Sequence, residues 1–329
     1  MGRVQDALRR ADERQQRHPW LAFPSAVIRK FGDDGAGGLA ALIAYYGFFS
    51  LFPLMLVVVT VASYALHGNE ELQRRIVDSA LAQFPVIGIQ IRDNIGSVSG
   101  SAFALVVGIG GALWAGMAVI TSVQTAMDEV WDVPRRDRAA LIPRVLRGTM
   151  VLIALGAALI AGALGAGAST ALGSVAAALA GLLIAAAINV ATMLIVFRVL
   201  TAASVSWRDV LPGAVLAGVV WTGLQAAGGY IVDRKISVAG NVYGLFAVVI
   251  GLLSWLYLGA QLTLVAAEVN VVLRRHLWPR SFFPPPTRPQ DERALTMQVQ
   301  QEQALASEHV SVDFDRTIHP EGVDGTHSG

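Results

Sequence analysis

Residues 236–267 run without a charge for 32 positions, and the run ends on Glu268. A hydrocarbon core of about 30 Å takes about 20 apolar residues in a helix rising ~1.5 Å per residue, so this stretch crosses a bilayer with length to spare. Other charge-free stretches occupy 35–69, 94–127, 148–197 and 210–232. The 148–197 stretch is too long for one span, and the small residues from Gly165 to Gly173 divide it by a tight uncharged turn. The pattern predicts six spans, at 38–66, 102–126, 148–168, 175–197, 210–232 and 242–273. The fold class is therefore all-α: a polytopic bundle of six transmembrane helices, with a kinked first helix.

Polar positions inside such spans should face one another or a cavity, because lipid offers them no partner. In the first span Tyr46, Ser50 and Pro53 share a face, and Pro53 leaves the Phe49 carbonyl without its helical donor, which predicts the kink. Gly108, Ala112 and Gly116 recur every four residues in the second span, a helix-packing spacing. Gln124 follows them. Asn189 and Thr192 lie in the fourth span, and Gln225 and Trp221 in the fifth. The sixth carries Tyr243, Ser254, Tyr257, Gln261 and Glu268 along one stripe, expected to point inward. Counted from Phe246, Glu268 lies 22 residues along, about 33 Å, at the boundary of the bilayer rather than its middle. Arg147 and Arg198 belong to the same boundary and are its expected partners, with Asp128 and Glu129 as further charges at that mouth.

Charge placement gives an orientation. The N-terminal 34 residues carry seven Lys or Arg, the 128–147 loop five and the tail six, against three between the first two spans. Cytoplasmic loops hold the excess of such residues, so both termini are predicted to be cytoplasmic. The chain divides into an N-terminal cytoplasmic or interfacial segment (1–34), the six-helix domain (35–275) and a cytoplasmic tail (276–329) too polar to order itself. Residues 70–84 place Leu72, Ile76, Val77, Ala80 and Phe84 on one face, as an amphipathic surface helix or a short cap over the bundle.

Composition fits a lipid environment: 54% hydrophobic and only 15% charged residues over 329 positions, with a net charge of +1. No global basic field is present to hold nucleic acid. The absence of cysteine excludes thiolate metal sites and thiol nucleophiles. The six histidines are scattered without ligand spacing, and there is no phosphate loop and no nucleophile elbow. No cofactor, metal site or enzymatic activity is expected from these residues.

Four segments, LAALIAYYGFFSLFPLM (39–55), SVQTAMDEVWDV (122–133), VSWRDVLPGAVLAGVVW (205–221) and YGLFAVVIGLLSWLYLGAQLTLVAAEVN (243–270), together resemble the YihY/BrkB family of bacterial inner-membrane proteins. The resemblance covers residues 35–275 in order and implies the same six-helix layout. It marks Tyr45, Ser50, Pro53, Trp131, Tyr243, Gly244, Trp255, Tyr257, Glu268 and Asn270 as shared positions. Where relatives carry Asn shortly before the Trp, this chain has Asp128. Members are labelled both as serum-resistance virulence factors and as ribonuclease BN. The second label sits poorly with a chain lacking clustered His and Asp. Residues and resemblance together lead to an inner-membrane transporter or flippase-like protein for a lipid or small solute. A non-enzymatic structural or assembly protein of the cell envelope is the alternative, and a membrane ribonuclease a distant third. Membrane lipids, a second copy of the chain or envelope proteins are the partners expected, and nucleic acid is not.

Overall fold

The computed structural model describes residues 10, 12, 14–65, 102–171, 175–231, 237–282, 288–305 and 307–314. The predicted amphipathic segment 70–84 and the tail beyond 314 lie outside them, as does the side chain of Tyr243. Among the described residues all regular structure is helical: α1 (Pro19–Asp33), α2 (Ala36–Ala65), α3 (Ala102–Val130), α4 (Leu141–Ala171), α5 (Val175–Leu200), α6 (Trp207–Ile231), α7 (Ser237–Arg275) and α8 (Pro289–Gln301), with a short 3-10 turn at Arg135–Asp137.

Five helices are long and apolar enough to cross a membrane, through windows in α2, α4, α5, α6 and α7. The chain is a multi-pass membrane protein. Helix α3 falls where the second predicted span lies and is 29 residues long, but it is not among those five. Large apolar side chains point outward along the helices, as with Trp114, Ile153, Leu183 and Phe246. A bundle solvated by lipid has no reason to hide them. Helix α4 continues to Ala171, past the expected end of the third span at 168, and α5 begins at Val175; the remainder of the expected turn, 172–174, lies outside the described residues.

Helix α7 is the centre of the fold, packing on α1, α2, α3 and α6. Small residues set these approaches. A Cβ on Gly213 of α6 would collide with the Ala266 carbonyl, and one on Gly218 would meet the Val190 backbone of α5 at 2.6 Å. Gly259 of α7 leaves room for the Trp221 ring in the same way. Pro53 lies inside the continuous helix α2 and packs against Gly111 of α3. Gly116, on the predicted packing face of α3, faces Leu152 of α4.

The N-terminal segment is a helix laid across one end of this bundle. Proline at the first position suits the start of α1, and its buried line, Ala22, Ala26, Val27 and Lys30, has helical spacing. Helix α1 then turns straight into α2 through Asp34 and Gly35, the latter at φ +61°, a conformation glycine adopts without a Cβ penalty. This turn folds α1 back over α7.

The tail departs from expectation. Residues 289–301 form α8, and Asp291, Ala294 and Gln301 are buried in it. Apolar burial is small here, and specific polar contacts order the segment instead. Arg280, almost fully enclosed, pairs with Asp33 at 2.8 Å and Asp291 at 3.0 Å. Asp291 also accepts from the Arg288 and Ser281 amides, which caps α8. Gln298 donates to the Asp33 carbonyl, and Asp12 accepts from Ser281 and Phe282, so the two terminal segments meet.

Candidate functional site

The densest charged site lies where α1, the α1–α2 turn, the end of α3 and α7 converge. The Lys30 ammonium sits 2.6 Å from Asp34, 3.3 Å from Asp132 and 3.9 Å from Glu268. All four side chains are at most 4% exposed. Arg275 adds a second cation, 3.4 Å from Asp132, and donates from its other terminal nitrogen to the Trp131 carbonyl.

Each member is placed by local structure. Lys30 occupies the last turn of α1, four residues before Asp34, the spacing at which helical side chains meet. Asp132 stands at φ +50° just past α3, where its own amide bonds to Glu129 and that of Val133 bonds to Asp128. That is a Schellman ending, which glycine usually occupies. An aspartate held there despite the left-handed backbone brings its carboxylate onto Lys30 and Arg275. Glu268 comes from α7 fully buried, and neither of its oxygens accepts a hydrogen bond among the described residues.

Burial alone would push the Lys30 ammonium toward neutrality, but the carboxylates of Glu268, Asp132 and Asp34 outweigh it and hold its pKa above the ordinary value. Asp34 moves the other way. Burial raises its pKa to about 6 from an ordinary 3.8, with the Lys30 charge opposing the rise and Asp132 adding to it. Among the described residues no three His, Asp or Glu side chains are grouped to hold a metal ion. At this acid-rich site an ammonium occupies the centre.

The expected partners of Glu268, Arg147 and Arg198, are not its partners. Lys30 takes that place, because the Asp34–Gly35 turn lays α1 on α7. Arg198 instead places its guanidinium 5.8 Å from the Trp207 ring centroid. Asp128, buried, accepts from the Ala202 amide at 2.9 Å and joins the end of α3 to the α5–α6 connection. Arg138, Arg144 and Arg147 supply positive charge around it, and Glu129 pairs with Arg138.

The other polar positions separate into pairs. Gln124 and Arg144 exchange hydrogen bonds, Gln124 Nε2 to the Arg144 carbonyl at 2.9 Å and Arg144 Nε to Gln124 Oε1 at 3.0 Å. Arg144 reaches the Thr121 carbonyl and the Thr125 hydroxyl as well. Asn189 donates to Thr222 at 2.9 Å and Gln225 at 3.2 Å, tying α5 to α6. Ser50 donates to its own helix, at the Gly47 carbonyl. Asn270 accepts from the Gly213 amide at 2.6 Å, next to Pro212 of α6.

The α7 stripe does not face inward along its length. Glu268 is buried, Gln261 is half-buried, Ser254 is exposed and Tyr257 is 36% exposed. The inward line of α7 is Ala260, Leu264, Ala267 and Val271, and the polar stripe lies on its flank. Near Glu268 that flank is covered by Lys30 and α1. Toward Ser254 it becomes more exposed, with the Tyr257 hydroxyl beside Gly37 of α2. Tyr46 of α2, also expected inside, is 38% exposed, while Pro53 is half-buried against α3. Lys30, Asp34, Asp132, Arg275 and Arg144 escaped the sequence reading. The Asp34–Gly35 turn directly before a span was the signal that the N-terminal segment folds back.

Five helices long and apolar enough to cross a membrane, α7 among them, with a charged site at one end of the bundle, define a multi-pass helical membrane protein. The chain belongs to the family described as virulence factor BrkB, which it matches over residues 27–289. The matched region takes in α2 to α7 together with Lys30, Asp34, Asp132 and Glu268. No curated protein and no solved structure matches the chain.

Proposed function

We propose that this BrkB-family protein moves a lipid or small amphiphilic solute in a bacterial inner membrane, as a transporter or flippase-like protein without a chemical step of its own. Both termini are cytoplasmic in this reading, α3 completes a six-span bundle, and the Lys30 site closes the cytoplasmic end. One observation carries it. Within the span Val249–Arg275, the polar residues Ser254, Tyr257 and Gln261 are exposed or half-buried on one flank, with the Tyr257 hydroxyl beside Gly37 of α2. Hydrocarbon offers such groups no partner, whereas a polar headgroup sliding along the flank does, its tails remaining in the bilayer. Neither a nucleic acid nor a cofactor enters this mechanism.

The absence of cysteine makes the test clean. Ser254→Cys, Tyr257→Cys or Gln261→Cys, carrying a photoreactive group in reconstituted membranes, should crosslink to lipid headgroups. Leu183→Cys, on the apolar outer face of α5, should reach acyl chains alone. Equal acyl-only crosslinking at all four positions would reject the track.

A second reading, a structural or assembly protein of the envelope, is favoured by the mutual saturation of Gln124 with Arg144 and of Asn189 with Thr222 and Gln225. It expects stable partner proteins bound through the terminal segments. Loss of those partners on deleting residues 289–329, with lipid crosslinking unchanged, would favour it.

A further inference from the structure

The Lys30 site holds more negative charge than its cations balance. Asp34 comes from the α1–α2 turn, Asp132 from the end of α3 and Glu268 from α7, and facing them are Lys30 from α1 and Arg275 from α7. Arg29 and Asp33, the other charges on this end of α1, turn toward Asp291 and Arg280 at α8. Arg274 turns away to Asp209. With every group ionised these five described residues carry one uncompensated negative charge, with the three carboxyls and Lys30 at most 4% exposed. Such a charge is expensive to leave unpaired.

The three carboxyls are not equally supported. Asp34 accepts a hydrogen bond from Lys30 at 2.6 Å, and Asp132 accepts one from Lys30 at 3.3 Å and faces Arg275 besides. Glu268 has Lys30 at 3.9 Å, no hydrogen-bond donor on either oxygen among the described residues, and no exposure at all. It shares the Lys30 ammonium with Asp34, which lies closer to that charge. Buried carboxyls crowded onto one ammonium are relieved when a proton neutralises one of them.

We propose that the Lys30 site is a proton-binding site: one proton is held by Glu268, the most enclosed of its three carboxyls, and its release loosens α1 from α7. The reaction is a single proton transfer, with the proton passing from the Glu268 carboxyl to water. The charge left behind repels Asp34 and Asp132 and makes Lys30 their shared counter-ion. Because the sixth-span stripe ends at Glu268, this site sits where a proton could govern the closed end of the bundle. The proposal rests on charge balance and geometry and does not require a transported substrate.

Infrared spectroscopy of the full-length protein in lipid nanodiscs tests it without any substrate. At neutral pH a C=O stretch of a protonated carboxylic acid is expected, displaced by carbon-13 labelling of glutamate and absent in Glu268→Gln. Isotope labelling uses the unaltered chain, so a variant that fails to fold leaves the question answerable. A glutamate-derived acid band that is missing at neutral pH, or that survives Glu268→Gln, overturns the assignment. Hydrogen exchange tests the latch: once corrected for intrinsic pH dependence, protection of α1 should fall as the acid band disappears. In Glu268→Gln that protection should stay flat. A fall at the same pH in both proteins overturns the latch. Failure of lipid movement in vesicles would leave both measurements unaffected and would count against the transport reading alone.

Discussion

Replacing Lys30 with methionine keeps the length of the side chain and removes the charge on which three carboxylates converge. At an effective dielectric near 20, contacts of this length are each worth roughly 4–6 kcal/mol in isolation, and burying the ions takes most of that back. What remains after losing one partner is the exposed cost of the others, about 3–5 kcal/mol for a buried cluster. Unfolding of the detergent-solubilised protein should therefore shift by roughly a hundredfold or more in its equilibrium constant. The deficit has a direction in pH. Asp34 titrates at about 6 in the fold against an ordinary 3.8, so the folded chain takes up the extra proton between those values. Its contribution to stability thus falls as pH rises through that interval. Without Lys30 the carboxyls depend on protons even more, so Lys30→Met should be closest to the parent at pH 5 and furthest from it at pH 8. Adding Glu268→Gln should return at least about 1 kcal/mol at pH 8, where Glu268 has released its proton and stands as a stranded carboxylate, and little at lower pH. A loss under about 1 kcal/mol, or a deficit identical at the two pH values, would refute the charge-locking argument.

Other substitutions separate packing from electrostatics. Gly213→Ala forces a methyl into the Ala266 carbonyl and the Asn270 side chain, which should cost about 2–4 kcal/mol in denaturant titrations. Gly223→Ala, facing open space on the same helix, should stay within about 0.5 kcal/mol of the parent. Arg144→Met strands Gln124 and the Thr121 carbonyl and should lose roughly 2–3 kcal/mol by the same measurement, with Arg147→Met nearly silent. Asp291→Ala removes a partner of the enclosed Arg280, so hydrogen exchange should show α8 opening while α5 and α6 stay protected.

The spans were legible because lipid imposes a length and an apolar composition that few other contexts require. Within them, Gln124, Asn189 and Glu268 were visible as polar interruptions of apolar runs. Lys30 was not, because it sits in a mixed-charge segment where nothing distinguishes one lysine from neighbouring arginines. Its role comes from the tertiary reversal at Gly35, which brings α1 over a helix far along the chain. Ser254, Tyr257 and Gln261 show the opposite limit. Helical spacing reveals that they share a face, but the side on which that face lies depends on how far α1 extends over α7. The tail misled for a related reason: α8 is held by Arg280, Asp291 and Gln298, and polar composition alone does not distinguish such a clasp from a solvated chain.

Transbilayer movement of headgroup-labelled fluorescent lipid in vesicles containing the purified protein tests the central claim most directly. The account expects movement well above empty vesicles, reduced at least tenfold when Ser254→Ala, Tyr257→Phe and Gln261→Leu are combined in a protein that still folds. Movement indistinguishable from empty vesicles across neutral, zwitterionic and anionic headgroups, or undiminished by the triple substitution, would contradict it.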